Sequence, residues 1–306
     1  MFETLYGNQP IKIYLQKALE ENRLPQTLLF SGVEGIGKSL FAKELAKHLL
    51  QGGRIDAETH PDLHVIRPEG KSGLHSIDAI RTLIDQVYEA PFESSGKVFI
   101  LHDAERMQAP SANALLKTLE EPSPDTTIIL LSSAPQEIIP TILSRCMKLP
   151  FQPLPEEAIA SILTEKKLSP HFAKQASGSA STAILLASDP SFNEMQKITL
   201  SLLSKKRGYA DLSDQLEKLE TLLELVKEED PVAYHRRVDL LFGTILMWTR
   251  DQHLRQIGGA PLFFPEEIGS ALPLKEAESL IHEARTGFQR NIKLTACLER
   301  FFLLCH

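Results

Sequence analysis

The chain has 306 residues, and at roughly 100 to 200 residues per domain this length predicts two or three compact units. Hydrophobic residues make up 42% and charged residues 24% of the chain, which excludes an intrinsically disordered protein. Because 40 acidic residues outnumber 33 basic ones, the net charge of −7 excludes a uniformly positive surface for nucleic acid or anionic membranes, so any DNA contact must be local.

Short apolar runs alternate with helical patterns over residues 1–152, which is typical of a parallel sheet with crossover helices. Five of these runs are too short to be convincing helices. They are predicted as strands: Thr27–Phe30, Leu63–Ile66, Val98–Leu101, Thr127–Leu131 and Cys146–Phe151. We therefore predict an α/β domain in this region.

The pattern changes at Pro153 and Pro155, after which a helix begins with acidic residues in its first turn. Over 153–190 short helical patterns are interrupted by serine, proline and glycine, which indicates a small helical domain. Residues 191–306 are predicted to be helical, with interruptions at 258–261 and 271–273. The last helix has an apolar stripe that packs either on its own domain or on another subunit: Leu294, Cys297, Leu298, Phe301 and Cys305.

A glycine-rich motif follows the first predicted strand. Gly32-Val33-Glu34-Gly35-Ile36-Gly37-Lys38-Ser39 matches G-x-x-x-x-G-K-[ST] and precedes a helical pattern over 40–50. Glycines let the backbone turn tightly and present N–H groups to phosphate oxygens, and the helix adds the positive end of its dipole. In this motif the lysine contacts the β- and γ-phosphates and the serine hydroxyl binds Mg²⁺. The alternative is a glycine-rich turn with an incidental lysine, but the strand and helix that flank the motif favour binding of ATP with Mg²⁺.

Acidic residues follow the third predicted strand, where a nucleotide site needs a carboxylate for Mg²⁺ and a group that orients water. The first polar position there is His102 rather than an aspartate, and Asp103 and Glu105 come after it. These two carboxylates either take the metal and base roles in a degenerate acidic site or only solvate the end of a strand. Nucleotide binding is therefore predicted more firmly than hydrolysis.

Several segments together resemble the clamp-loader subunits of bacterial DNA polymerase III, which are AAA+ proteins that open a ring-shaped sliding clamp and close it around DNA. The resemblance covers residues 1 to about 150, and only the domain layout agrees beyond Pro150. Besides the glycine-rich motif, the segments that support it are Tyr6-Gly7-Asn8-Gln9, Leu24-Pro25-Gln26, His60-Pro61-Asp62-Leu63, Asn113 to Pro122 and Thr141 to Cys146.

The resemblance implies a P-loop AAA+ fold with a five-stranded parallel sheet over 1–152, a helical lid over 153–190 and a helical collar over 191–306 that serves oligomerisation. Ser144-Arg145-Cys146 is similar to the family's arginine-finger motif, which implies that Arg145 reaches the γ-phosphate held by a neighbouring subunit. From the residues alone Arg145 is equally an ordinary surface arginine. Ser132 or Ser133 matches the position of a family sensor residue, although both serines also suit a turn.

Two departures from the family pattern bear on its cofactors and activity. The family commonly has a four-cysteine zinc module before His60, but residues 50–59 contain no cysteine, and Cys146, Cys297 and Cys305 are too scattered to form one, so no zinc is expected. Ser181 lies where ATP-hydrolysing relatives have a sensing arginine. Together with His102, it indicates a stationary subunit whose own ATP hydrolysis is weak or absent.

The resemblance implies a hetero-oligomer whose partners are the gamma/tau and delta subunits, the sliding clamp and primed DNA. The alternatives are a gamma/tau-type motor that hydrolyses ATP itself, a free-standing P-loop phosphotransferase and a scaffold without nucleotide. The start of the sequence lacks a basic flank with an apolar run, and residues 240–249 are too few to span a membrane. We therefore expect a soluble cytoplasmic protein with no membrane partner.

Overall fold

The computed structural model describes residues 2–51, 54–68, 73–205, 207–229, 231–269, 272–290 and 292–304. The chain forms two compact units, Met1–Ile184 and Leu185–His306. This division lies close to the predicted boundary between residues 190 and 191. A separate lid domain over 153–190 stays a prediction, because these residues divide between the two units.

The first unit contains a five-stranded sheet in which every neighbouring pair is parallel. The strands are β1 (Thr27–Ser31), β2 (Leu63–Ile66), β3 (Lys97–Leu101), β4 (Thr126–Ser132) and β5 (Met147–Pro150). Their order is β2-β3-β4-β1-β5. All five predicted strands are confirmed, and each boundary lies within one residue of the prediction.

The sheet strands are nearly continuous apolar runs because helices cover both faces of the sheet. Successive side chains of a strand point to opposite faces, and the burial follows this alternation. Leu28 and Phe30 belong to one core, with Phe41 of a flanking helix, while Leu29 belongs to the core on the opposite face, with Leu115. The predicted α/β class is therefore confirmed, because one apolar core lies on each face of a single sheet.

Six α-helices lie in the described part of the first unit, and a seventh begins there and ends in the second unit. Two of them follow the glycine-rich loop, called the phosphate loop below (residues 32–37), and the acidic turn after β3. The helices are α1 (Gln9–Glu20), α2 (Lys38–Leu50), α3 (Ile77–Tyr88), α4 (Ala109–Glu120), α5 (Pro140–Leu143), α6 (Glu156–Glu165) and α7 (Ala180–Ser188). Helix α2 begins directly after the loop 32–37, and α4 follows the acidic turn after β3. The side chain of Ser76 caps α3 by accepting a hydrogen bond from the N–H of Ala79, 3.1 Å away.

The parallel topology brings the residues after each strand to one edge of the sheet. Gly32 follows β1, His102 follows β3 and Ser133 follows β4, so these three positions lie at the same carboxyl edge. Arg145 precedes β5, which is parallel to β1, and therefore lies at the opposite edge. Ligands of open α/β sheets bind outside the carboxyl ends of the strands, so the first edge is the expected position of the site.

The second unit is helical, as predicted. Its helices are α8 (Pro190–Ser204), α9 (Tyr209–Glu229), α10 (Pro231–Gln256), α11 (Leu274–Gln289) and α12 (Leu294–Leu304). The predicted interruptions at 258–261 and 271–273 fall between α10 and α11, and Ala271 lies outside the described residues. The N-terminus of α8 is held by Asp189, which caps the N–H of Phe192 at 3.1 Å and pairs with Arg237 of α10 at 2.6 Å.

The stripe predicted on the last helix packs within its own unit. Leu294, Leu298 and Phe301 are buried, Cys297 is half-buried, and Cys305 lies outside the described residues. The neighbouring Phe302, which the predicted stripe leaves out, is also buried, so the apolar face is wider than a single stripe. The intramolecular alternative therefore holds for the residues that the structure describes.

Candidate nucleotide-binding site

The loop between β1 and α2 has a backbone that requires glycine at three positions. Gly32, Gly35 and Gly37 have φ values of 145°, 78° and 100°, which side chains rarely adopt. A Cβ atom on Gly32 would also overlap the backbone oxygen of Phe151. The motif therefore forms the tight, backbone-lined turn that the sequence predicts, with Ile36 buried in the core and Val33 and Glu34 exposed.

The loop leads directly into the N-terminus of α2, which has no side-chain cap. Gly37 occupies the N-cap position and has no side chain, so it cannot cap the backbone N–H groups of the first helical turn. A Cβ built on Gly37 would meet no atom within 4 Å, so there is open space beside these N–H groups. Uncapped N–H groups at a helix N-terminus next to open space are the features that bind a phosphate, and Ser39 is half-buried in this first turn.

Lys38 is buried, with 8% of its surface exposed, and its ammonium group is held by the loop itself. Its Nζ donates to the carbonyl oxygens of Gly32 and Val33, the latter at 2.8 Å, and lies 3.3 Å from Ser133 Oγ. Burial lowers the pKa of Lys38, and the nearby carboxylates of Glu105, Glu34 and Asp103 oppose that shift. The carbonyl oxygens and the nearby acids compensate the cost of burying this charge, and a phosphate bound at the loop would replace some of these contacts to Lys38.

The acidic turn after β3 contains the three residues that the sequence singled out. Among the nearby carboxylates, Glu105 acts most strongly to raise the pKa of Lys38. Its Oε1 accepts a 3.0 Å hydrogen bond from the N–H of Ser133. Its Oε2 is buried and has no hydrogen-bond partner among the described residues. Asp103 has a left-handed backbone with φ 47°, and burial beside Glu105 raises its pKa. An oxygen ligand such as Glu105 Oε2 has the chemistry that Mg²⁺ prefers.

Two histidines accompany this turn. Burial and the guanidinium of Arg67 lower the pKa of His102 to about 4, so it is neutral at pH 7. Nε2 of the buried His75 lies 2.7 Å from the carbonyl oxygen of His102, so this nitrogen donates and fixes the turn. The sequence does not reveal this role of His75, because the turn that it contacts lies 27 residues away and the residues around His75 form no motif.

The two serines after β4 differ in what they contact. Ser132 is buried, and its Oγ accepts from the N–H of Ala134 at 3.2 Å, which is a turn-forming role. Ser133 contacts Lys38 through its hydroxyl and Glu105 through its amide. The serine pair therefore contains one turn former and one residue that connects the loop to the acidic turn.

Arg145 lies at the other edge of the sheet, in the turn before β5. Its guanidinium pairs with Glu120 of α4, with Nε 2.7 Å from Oε1, and its Nη1 donates to the carbonyl oxygen of Thr141 at 2.8 Å. The side chain is 29% exposed. The group is therefore accessible at the surface of this unit and distant from the unit's own phosphate loop.

The histidine and aspartate of the His60-Pro61-Asp62 motif have structural contacts. Asp62 is buried, and its carboxylate accepts from the backbone N–H groups of Phe92, Glu93 and Ser94. Burial acts to raise the pKa of Asp62, but these three donors together lower it below its ordinary value. Among the described residues no group of three or more His, Cys, Asp or Glu side chains is placed to hold a metal ion.

The segment Tyr6 to Gln9 contacts the chain that leaves β5. Asn8 mimics a backbone strand, because its Oδ1 accepts from the N–H of Gln152 at 2.7 Å and its Nδ2 donates to the carbonyl of the same residue at 3.2 Å. Gly7 has φ 67°, and a Cβ there would overlap Leu154. This segment therefore fixes the connection between the sheet and the helices that follow it.

The first turn of α7 contacts the phosphate loop. The N–H of Ser181 donates to the carbonyl oxygen of Gly35 at 3.2 Å, and a Cβ on Gly35 would overlap the hydroxyls of Ser179 and Ser181. The loop is thus flanked by two helix N-termini, those of α2 and α7. In the sequence, Ser181 is notable only because it lies where ATP-hydrolysing relatives have a sensing arginine. Its contact with Gly35 is apparent only in the structure.

Comparisons with known proteins agree with this geometry. Residues 7–155 match the family model described as DNA polymerase III, delta subunit. The DNA polymerase III subunit delta' of Bacillus subtilis is 36% identical over 215 residues, which are 64% of this chain and 65% of that protein. The subunit delta' of Pseudomonas aeruginosa is 38% identical over 134 residues, 39% of this chain and 41% of that protein. The alignments thus span less than two thirds of either relative.

A solved structure also resembles this chain. A DNA polymerase III, gamma subunit-related protein from Thermotoga maritima covers 95% of this chain and 98% of its own, with 19% identity and a TM-score of 0.55. At this identity the likeness concerns the fold alone. It supports the predicted fold class, an α/β domain with a parallel sheet followed by helices. Among the described residues no helix has the length and apolar character needed to cross a membrane.

Proposed function

We propose that this chain is a clamp-loader subunit of a bacterial DNA polymerase III, like the relatives that it matches, and that it binds ATP with Mg²⁺ and assists a neighbouring ATPase. In this proposal it is a delta prime type of subunit in a hetero-oligomer with gamma/tau and delta subunits. The assembly loads the sliding clamp on primed DNA in the cytoplasm. The helices over 191–306 would form the collar through which the subunits associate.

The phosphate loop is the observation on which nucleotide binding rests. Lys38 is a buried cation whose Nζ is oriented by two loop carbonyls, and uncapped N–H groups of α2 adjoin open space. These groups fit a triphosphate, since backbone N–H groups bind its oxygens and Lys38 supplies a positive charge. Residues 32–39 would hold ATP, with Ser39 and Glu105 available to the Mg²⁺ that accompanies it.

Hydrolysis by this chain itself is proposed to be weak or absent. His102 is neutral at pH 7 and cannot replace a metal-binding carboxylate at the end of β3. Glu105 is engaged by the N–H of Ser133, so only one of its oxygens has no partner among the described residues. This set of residues supports binding better than turnover.

Arg145 is proposed to act on the nucleotide of a neighbouring subunit. It precedes β5 and lies at the edge of the sheet opposite to Gly32, so it cannot serve the loop of its own unit. Its only ion pair among the described residues is with Glu120, whose side chain is 47% exposed. An arginine placed on a γ-phosphate stabilises the charge that develops in the transition state.

The experiment that tests the proposal measures ATP affinity and hydrolysis by the purified chain, with Lys38→Ala and the control Lys148→Ala. Lys148 is an exposed lysine of β5, so its loss leaves the loop intact. We expect Lys38→Ala to weaken ATP binding more than about tenfold, because it removes charge-assisted bonds to phosphate. Equal affinity of Lys38→Ala and the unaltered chain would contradict the proposal.

The same measurements separate the competing functions. Steady hydrolysis of ATP by the purified chain alone would favour a gamma/tau-type motor. Transfer of phosphate from ATP to a small acceptor would favour a free-standing phosphotransferase. Binding without turnover, followed by stimulation of hydrolysis when gamma/tau and delta subunits are added, is the result that the proposal expects.

A further inference from the structure

The start of α7 bridges two parts of the first unit. On one side, the carbonyl oxygen of Gly178 accepts from the N–H of Leu154 at 2.9 Å, which ties the turn before α7 to the chain that leaves the sheet. On the other side, the N–H of Ser181 donates to the carbonyl oxygen of Gly35 at 3.2 Å. Residues 178–181 are therefore held between the connection at 153–154 and the phosphate loop.

This bridge is closely packed at its centre. Ser179 is buried, with 7% of its surface exposed, and its Oγ caps α7 by accepting from the N–H of Thr182 at 3.2 Å. Gly35 packs so closely against the two serines that a methyl group on it would overlap both hydroxyls. The contact therefore combines a backbone hydrogen bond with close packing, and it fixes the loop at Gly35.

Fixing the carbonyl of Gly35 has a consequence for the next amide. The peptide unit is planar and trans, so the C=O of Gly35 and the N–H of Ile36 point in opposite directions. Since the carbonyl oxygen points to Ser181, the N–H of Ile36 points away from α7. The glycine at 35 has φ 78°, and a glycine peptide can rotate at low cost unless something holds it.

We propose that Ser179 and Ser181 are positioning residues for the nucleotide, because they hold the Gly35–Ile36 peptide with the Ile36 N–H directed at the phosphates. The inference rests on the proposed function, since it assigns the lid a role at the same loop. In this site α7 acts through a neutral backbone amide and a serine cap, without a charged side chain. In the proposal this contact holds the loop in the conformation that binds the phosphates.

The test removes the Ser181 amide alone. Ser181→Pro deletes the N–H at the second position of α7, in the first helical turn where proline is tolerated. Ser181→Ala keeps the N–H and is the matched control. We expect Ser181→Pro to bind ATP about three- to tenfold more weakly, as the loss of one hydrogen bond that orients the loop implies. In the nucleotide-free chain we expect faster amide hydrogen exchange over residues 33–38 in Ser181→Pro than in Ser181→Ala, which keeps the N–H.

A second pair of variants tests the contact from the side of the loop, in case Ser181→Pro does not fold. Gly35→Ala adds a methyl group that overlaps Ser179 and Ser181, whereas Gly37→Ala imposes similar backbone strain with no atom within 4 Å. We expect the amides of Thr182 and Ala183 to exchange faster in Gly35→Ala than in Gly37→Ala. Equal exchange in this pair, or equal ATP affinity of Ser181→Pro and the unaltered chain, would overturn the inference alone. Absence of ATP binding by the unaltered chain would instead overturn the proposed function.

Discussion

Replacing Arg145 by alanine separates a role in this chain from a role in its neighbour. Strand β5 pairs with β1 so that Met147 lies beside Leu28, which puts Arg145 level with Gln26. Gly32 is six residues further along (26 to 32), and at about 3.3 Å per residue the two positions are roughly 20 Å apart. The guanidinium therefore cannot contact a nucleotide in its own loop. We expect Arg145→Ala to leave the ATP affinity of the isolated chain unchanged.

The ion pair with Glu120 does not prevent Arg145 from moving to another subunit. Both side chains are partly exposed, 29% for Arg145 and 47% for Glu120, and such pairs stabilise by about 0.2–1 kcal/mol. An arginine finger contributes about 10³- to 10⁵-fold in rate, which corresponds to about 4–7 kcal/mol of transition-state stabilisation. If Arg145 acts as proposed, its contact with a neighbouring γ-phosphate would therefore outweigh the internal pair. Glu120→Gln should change hydrolysis by the complex by no more than about fivefold.

The assay measures ATP hydrolysis by the complex reconstituted with gamma/tau and delta subunits, the sliding clamp and primed DNA. With Arg145→Ala we expect the part of the rate that depends on this subunit to fall by about 10³-fold. Arg81→Ala is the control, because Arg81 is an exposed arginine of α3, with its side chain 64% exposed. Full hydrolysis by the Arg145→Ala complex would refute the finger role. Loss of ATP binding by the isolated variant would refute the geometric argument.

Two further predictions concern buried carboxylates that hold loops. Asp62→Ala should lower the free energy of unfolding by about 2–4 kcal/mol, because the buried N–H groups of the loop that it holds lose their acceptor. The pKa of Asp62 in the folded chain lies below its ordinary value, so its contribution to the free energy of unfolding is present above the unfolded pKa and is lost as pH falls through the folded pKa. In Asp62→Asn the unfolding midpoint should therefore depend less on pH in the acid range, and an unchanged pH dependence would contradict this. Asp251→Ala should destabilise the second unit by a similar amount, about 2–4 kcal/mol, since the wholly buried carboxylate accepts from the N–H groups of residues 262–264. Fluorescence of Trp248, the single tryptophan, reports this unit, and an unfolding midpoint equal to that of the exposed-site control Asp214→Ala would argue against the role of Asp251.

The strands and the phosphate loop were predictable because their determinants are local. Each strand is an apolar run with the length of a strand, and each boundary agreed within one residue. The glycines of the loop encode their own backbone conformations, since φ values near 80–145° exclude most side chains. The helical character of the second unit followed from its periodicity in the same way.

Residues whose roles depend on distant partners were not predictable. Asn8 pairs with Gln152 across 144 positions, and His75 fixes a turn 27 residues away. The sequence pattern does not distinguish Asp103 from Glu105 as candidates for the acidic site. Only the fold brings Glu105 to Ser133 and leaves Asp103 in a left-handed turn. Likewise, Ser132 and Ser133 are adjacent and chemically identical, yet only Ser133 contacts Lys38.

By itself the sequence determined the secondary-structure elements, the tight glycine-rich turn after β1 and the resemblance to clamp-loader subunits, because these are encoded by periodicity, glycine and short motifs. The tertiary structure decided which groups meet: that Arg145 lies at the edge of the sheet away from Gly32, and that Ser181 reaches the carbonyl of Gly35. The physical reason is that strand order and register set these distances. Strand order and register depend on packing between residues that are far apart in the sequence, so no short segment determines them by itself.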